Sequence, residues 1–200
     1  MKSLFREQSH WIKIVLLGFG LLVGIHSGAQ EQKPPPPCST ELHRQFDFWI
    51  GTWEVHDAKT GSLEGIDVVK KDFNGCGITE HWQQQNDRHK LPGSSERFFG
   101  KSINYFSQGQ WSHQWVDNMG GHAELHGKWE NGMMTMVGTL SGENWSHPYR
   151  VVWQPMPDGT IYTWGEGQLG NATRDGKPAV FENTPDGKWI RLFYDIASPK

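Results

Sequence analysis

The sequence predicts an all-β chain: about ten antiparallel strands in a meander, preceded by one short helix. Three observations lead there. Eleven Trp and ten Phe stand beside 24 Gly, and aromatic and β-branched residues favour strands while glycines interrupt them. Turn signals recur every 8 to 14 residues, the spacing of short strands joined by hairpins. Only "STELHRQF" (39–46) reads as helix, with Ser39 or Thr40 placed to cap it.

The expected strands span 47–57, 64–73, 77–86, 97–107, 110–118, 122–130, 133–141, 148–156, 160–166 and 188–195. Between them lie "KTGS", "DFNG", "RHKLPGS", "SQGQ", "NMGG", "ENGM", "SGENWSHP", "PDGT" and the longer "QLGNATRDGKP". Asn131-Gly132 is the sharpest two-residue hairpin signal among them. A meander this long closes into a barrel or splits into two packed sheets. Residues 170–187 read as an irregular loop or a poorly patterned strand pair, and the chain shows no internal repeat.

The N-terminal 29 residues have the layout of an export signal. Lys2, Arg6 and Lys13 form a basic leader, "IVLLGFGLLVGI" (14–25) is an apolar run, and Ser27 and Ala29 supply the small residues of a cleavage site. The run of 12 falls short of the about 20 apolar residues of a spanning helix. The expected organisation is a signal peptide over 1–29, a stiff Pro-rich spacer over 30–37 and a single domain over 38–200. Cys38 stands behind "PPPP" rather than directly behind the apolar run, which argues against lipid attachment. The expected localisation is secreted or periplasmic.

Cleavage at that site moves the formal charge from −3 to −5. An acidic chain is a poor partner for nucleic acid or anionic membranes, and no later segment is apolar enough for stable membrane insertion. Cys38 and Cys76 are the two cysteines, and an oxidising compartment favours their pairing.

"QFDFWIGTWEV" (45–55) concentrates aromatic surface in one short segment. Strand alternation puts Trp49, Gly51, Trp53 and Val55 on one face. Gly51 leaves room for a group to approach the backbone, and Trp53 is suited to plug the closed end of a small barrel. In a closed meander the first and last strands are neighbours, so Arg191 in "KWIRLFYD" is expected over the Trp53 ring.

A short helix, Gly-x-Trp on the first strand and a basic residue on the last resemble the calycin superfamily of lipocalin-like barrels. "FDFWIGTWEV", "GCGITEHW" (75–82), "QWSHQWVDNMGG" (110–121) and "RVVW" (150–153) together resemble a mostly bacterial secreted family, the domain of unknown function numbered 1579. The resemblance covers roughly 38–165, and the tail departs from it. It implies a calycin-like β-barrel and ligand binding inside it; the family name carries no activity.

Folding the "NMGG" hairpin tightly sets Asp117 opposite His122, Trp115 opposite Glu124 and His113 opposite His126, with Glu80 and Trp82 facing the same way. That face mixes carboxylates, imidazoles and indoles, as a ligand pocket does. The opposite face carries Val116, Ala123, Leu125, Trp129, Met134, Met136 and Leu140. Periodicity alone favours the apolar face as the core; against it, Trp111 and Trp115 on a solvated face would be costly and the family resemblance centres on their parity, so which face lines the interior stays open.

The expected function is binding of a small, partly apolar ligand. Trp53, Trp82 and Trp115 supply stacking area; Glu80, His113, Asp117, His126 and Arg150 orient the guest. The alternative is a barrel isomerase or hydrolase using Glu80, Asp117 or His113 as acid or base, although nucleophile-elbow and phosphate-loop motifs are absent. Display of exposed Trp to a glycan or protein is a third class. No cofactor is assigned. "HAELH" (122–126) with His113 offers a divalent-metal set, and His113 or His126 a haem ligand. "NWS" (144–146) and "NAT" (171–173) match the glycosylation pattern.

Overall fold

Asn131 and Gly132 both take positive φ, 53° and 77°, as a two-residue hairpin turn of the I′ kind demands. They join two strands of a ten-stranded antiparallel barrel in a computed structural model that describes residues 34–88, 90, 93–179 and 187–200. The expected export signal and the first residues of the Pro-rich spacer lie outside the described residues.

The barrel strands are β1 (Gly51–Asp57), β2 (Leu63–Asp72), β3 (Gly77–Gln84), β4 (Phe99–Ser107), β5 (Gln110–Asp117), β6 (His122–Glu130), β7 (Met133–Ser141), β8 (Trp145–Pro155) and β9 (Ile161–Gly167). A two-residue pair, β10 (Thr173–Arg174) and β11 (Lys177–Pro178), hangs on the start of β8. β12 (Ile190–Pro199) then inserts between β9 and β1 and closes the ring. The expected meander and its closure are therefore both present.

The expected N-terminal helix is two tight 3-10 turns, Glu41–Arg44 and Asp47–Trp49. They seal one end of the barrel. Phe46 and Trp49 are buried there, with ring centroids 4.7 Å apart, and Trp111 and Trp153 pack around Phe46. Two cross-links hold this plug. Lys71 Nζ donates to both Asp47 carboxylate oxygens at 2.7 and 2.8 Å. A disulfide joins Cys38 to Cys76 at the mouth of β3.

Trp53 folds back over its own neighbour: a Cβ on Gly51 would stand 3.2 Å from the indole. The indole Nε1 donates to the Trp49 carbonyl at 2.9 Å. The expected Arg191–Trp53 contact is not made. β12 runs to Pro199, four residues beyond its expected end, and this sets Pro199 opposite Trp53. Arg191, at the far end of β12, pairs with Glu166 and lies 5.1 Å over both Trp164 and Tyr194.

Candidate functional site

The β5–β6 register decides what lines the barrel. The expected pairing is off by one residue: Val116 faces His122, Trp115 faces Ala123 and His113 faces Leu125. Asp117 is the cause. Its Oδ1 accepts the Met119 and Gly121 backbone N–H groups, both at 2.9 Å, and this fixes the turn. A slip of one residue exchanges the faces of one strand relative to the other. The polar-aromatic face of β5 and the apolar face of β6 consequently share the interior, and neither expected lining stands alone.

His126 moves to the outside by the same slip. It is 41% exposed there, beside Glu124 at 3.5 Å and in hydrogen-bond contact with Ser112 Oγ. His113 faces inward, so the expected metal set of His113, His122, Glu124 and His126 is divided between two faces. Among the described residues no three potential metal ligands gather. Arg150 also lies outside, because Tyr149, Val151 and Trp153 of the same strand belong to the core. Its guanidinium pairs with Glu166 and lies 4.6 Å over Trp189. Asp117 serves the turn, and its Oδ2 accepts the Trp115 indole N–H at 3.1 Å.

What remains inside is layered. At the plugged end, Trp111, Trp153, Met134, Met136, Ile78 and Ile161 are buried and packed. Toward the other end Trp82, Trp115, Leu140, Tyr149 and Phe193 pack on that core but are only partly buried. Glycines on neighbouring strands let two of these indoles lie against the wall. A Cβ on Gly65 would stand 2.5 Å from the Trp82 ring, and one on Gly100 would stand 2.0 Å from Trp115.

Between the layers sits a polar girdle that begins at His113. Asn104 Nδ2 donates to Ser102 Oγ at 2.8 Å, so Asn104 Oδ1 is the acceptor turned to His113 Nδ1, 2.7 Å away. His113 therefore carries its proton on Nδ1. Ser102 in turn donates to Glu80 Oε2 at 2.5 Å. Each donor in the chain points toward Glu80, which is the terminal acceptor. Burial pushes the His113 imidazole down to about 3, so it is the neutral ring that donates.

Asp67 completes the girdle, between Trp53 on β1 and Trp82 on β3 in register. It is 5% exposed, and its Oδ1 has no hydrogen-bond partner. Burial pushes its carboxyl up to about 7, with the Trp49 indole and the Val68 N–H pulling the other way. Burial, and then the Asp67 charge, raise the Glu80 carboxyl well above the usual carboxylate range, opposed by the Ser102 hydroxyl. Tyr149 is raised by burial first and by Glu80 and Asp195 after it, which places its phenol within electrostatic reach of both. A buried polar atom without a partner costs about 1–3 kcal/mol, and Asp67 Oδ1 is such an atom.

Two clefts of about 220 and 460 Å³ lie at the rim where β10 meets β8. Trp145, Ser146 and Thr173 border both. Neither contains an unpartnered buried group, and neither includes a residue of the girdle.

Of the expected ligand set, the fold brings Trp53, Glu80, Trp82, His113 and Trp115 to the interior. It leaves Arg150 and His126 on the outer face and gives Asp117 a turn to hold. Asp67, Ser102, Asn104, Tyr149 and Phe193 were not among the residues the sequence suggested. Asp67 carried a usable signal: it alternates with the inward Val69 in "GIDVV", and a lone carboxylate in that phase is a buried one. Glu80 and Asn104 share such a phase, but only the three-dimensional register joins them. No family model matches this chain, and a search of the curated proteins returns no match.

Proposed function

We propose that the chain is an exported, calycin-like container for one small, partly apolar molecule that carries a polar group. The observation that carries this reading is Asp67 Oδ1, a buried acceptor without a partner, in register with Trp82 on an interior face whose Trp82 and Trp115 indoles are only partly buried. A pocket of aromatic walls with a few convergent polar groups is the usual form of a small-molecule site. The apolar run behind a basic leader and the Cys38–Cys76 disulfide support export. The resemblance of "GCGITEHW" and "QWSHQWVDNMGG" to the family numbered 1579 supports the same assignment.

The test is a fluorescence titration with fatty acids, haemin, small aromatic acids and small aromatic amines. The reading predicts saturable quenching by at least one class, diminished in both Trp82→Phe and Trp115→Phe, with the compound recovered unchanged. Absence of saturable binding across all four classes overturns it.

One observation favours a second reading, an acid–base enzyme. Glu80 and Asp67 are neighbouring carboxyls whose ionisation burial resists, an arrangement that suits proton transfer near neutral pH. In that case the recovered compound is chemically altered, and Glu80→Gln abolishes the change while retaining binding.

A further inference from the structure

The container reading leaves the chemistry of the guest open, and the charges inside the barrel narrow it. This inference rests on that reading. The girdle holds Asp67 and Glu80, and the charged groups acting on them include no Lys or Arg. Cations of the surrounding strands and loops are engaged elsewhere: Lys71 with Asp47, Arg88 with Glu64, Arg150 with Glu166, and Arg191 with Glu166 and the Trp164 and Tyr194 rings. Glu80 Oε2 already accepts from a donor, the Ser102 hydroxyl. Asp67 Oδ1 lacks one altogether.

We propose that the barrel binds a small organic cation, a protonated amine on an apolar body, with its ammonium group against Asp67 Oδ1 and Glu80 and its body between Trp82, Trp115 and Phe193. An ammonium group supplies three donors and the missing positive charge together. The surrounding indoles add the attraction of a cation for an aromatic face, worth about 0.5–2 kcal/mol at each good contact. Once the acids are ionised a carboxylate guest meets their repulsion, and a neutral alcohol brings no charge to favour that ionisation.

A pH dependence follows. Without a guest Asp67, raised to about 7, keeps its proton toward neutral pH, the Glu80 carboxyl is raised in the same direction, and an arriving cation favours the ionised forms. Affinity therefore rises with pH until the carboxyls ionise unaided. The other titratable groups facing the girdle are His113 from β5, Tyr149 from β8 and Asp195 from β12. His113 stays neutral above its lowered value and Tyr149 stays a phenol. Asp195, held up to about 7 by burial and then by Glu64 and Asp57 against Arg88, titrates in the same window. β1, β4, β6, β7 and β9 contribute no titratable inward side chain at this level: Trp53, Ser102, Asn104, Leu125, Met136 and Thr163 face in there.

The experiment is calorimetric titration of the folded, oxidised protein at pH 5.5 and 8 with two matched series. One is tryptamine, tryptophol and indole-3-acetate; the other is hexylamine, hexanol and hexanoate. The expected result is at least a tenfold preference for an amine over its alcohol at pH 8. That preference shrinks at pH 5.5, and proton release is read from the dependence of the heat on buffer. Asp67→Asn abolishes the preference, and Asp195→Asn leaves it in place. Equal or tighter binding of the alcohols or acids overturns the cation assignment and leaves the container reading standing. Silence from both series overturns the cation assignment, and silence from the fluorescence panel as well ends the container reading.

Discussion

The Trp115 indole lies directly on Gly100 of the neighbouring strand, where a Cβ would stand 2.0 Å from its Cζ2. The pair keeps a large ring flat against the barrel wall. Gly100→Ala is expected to destabilise the fold by roughly 1–3 kcal/mol, the usual cost of overpacking, because the ring must leave its seat. Adding Trp115→Leu relieves the clash, so the double variant is less destabilised than the two single costs sum to. Urea unfolding of the four proteins of this cycle checks it, and additive costs contradict the contact.

Asp67 sets the sign of the pH dependence of stability. Its folded value of about 7 lies above the ordinary 3.8. Between those values the folded chain binds more protons than the unfolded one, so stability falls as pH rises through that window. The penalty approaches 4 kcal/mol, to order of magnitude, once Asp67 is ionised. Glu80 and Asp195 act in the same direction. His113 acts oppositely, losing stability as pH falls from 6.5 toward 3, but one imidazole faces three carboxyls. The guest-free protein is expected to melt at a lower temperature at pH 8 than at pH 5, with a smaller difference in Asp67→Asn. Calorimetry at the two pH values decides it; an unchanged difference contradicts the burial of Asp67.

Asn104 fixes the direction of the donor chain. Asn104→Leu removes the acceptor of His113 and the donor to Ser102 together, at a cost of about 1–3 kcal/mol for each group left unpaired. His113→Phe removes one of those groups, so the pair His113→Phe/Asn104→Leu is expected to cost less than the sum of the single changes. A nitrogen-15 spectrum of the wild-type imidazole is expected to show the proton on Nδ1 from pH 5 to 8. A ring that protonates near pH 6.5 contradicts the arrangement.

The Cys38–Cys76 bridge closes a separation of 38 residues. In the chain-entropy account such a loop stabilises the fold by about 4 kcal/mol. Cys38→Ser/Cys76→Ser is expected to lower the denaturation midpoint accordingly while leaving the far-ultraviolet spectrum of the barrel intact. A midpoint that does not move shows that the plug is held by Lys71–Asp47 and its aromatic packing instead.

Much of the fold was legible because hairpin turns announce themselves locally. Asn131-Gly132 needed no tertiary information to be read as a turn, and the strands on either side, 122–130 and 133–141, begin and end where the sequence suggested. The candidate site was legible only in part, because it depends on register. "NMGG" signals a turn but not which residue closes it, and the Asp117 carboxylate decided that by taking two amides. One residue of slip carried His126 out and Leu125 in. The position of Arg191 failed for a related reason: the end of β12 depends on its pairing with β1, which no local pattern records. Arg150 was placed in the interior by chemistry alone, although strand alternation from the neighbouring Val151 and Trp153 puts it outside.

The central claim is that Asp67 and Glu80 lie at the floor of a space that takes a guest. Native mass spectrometry of the protein purified from its producing cells, without refolding, tests that claim most directly. The account predicts one small-molecule adduct per folded chain, lost on acidification and absent from Asp67→Asn. A bare wild-type mass under the gentlest conditions, together with carboxyl carbons of Asp67 and Glu80 that titrate like those of exposed side chains, contradicts it.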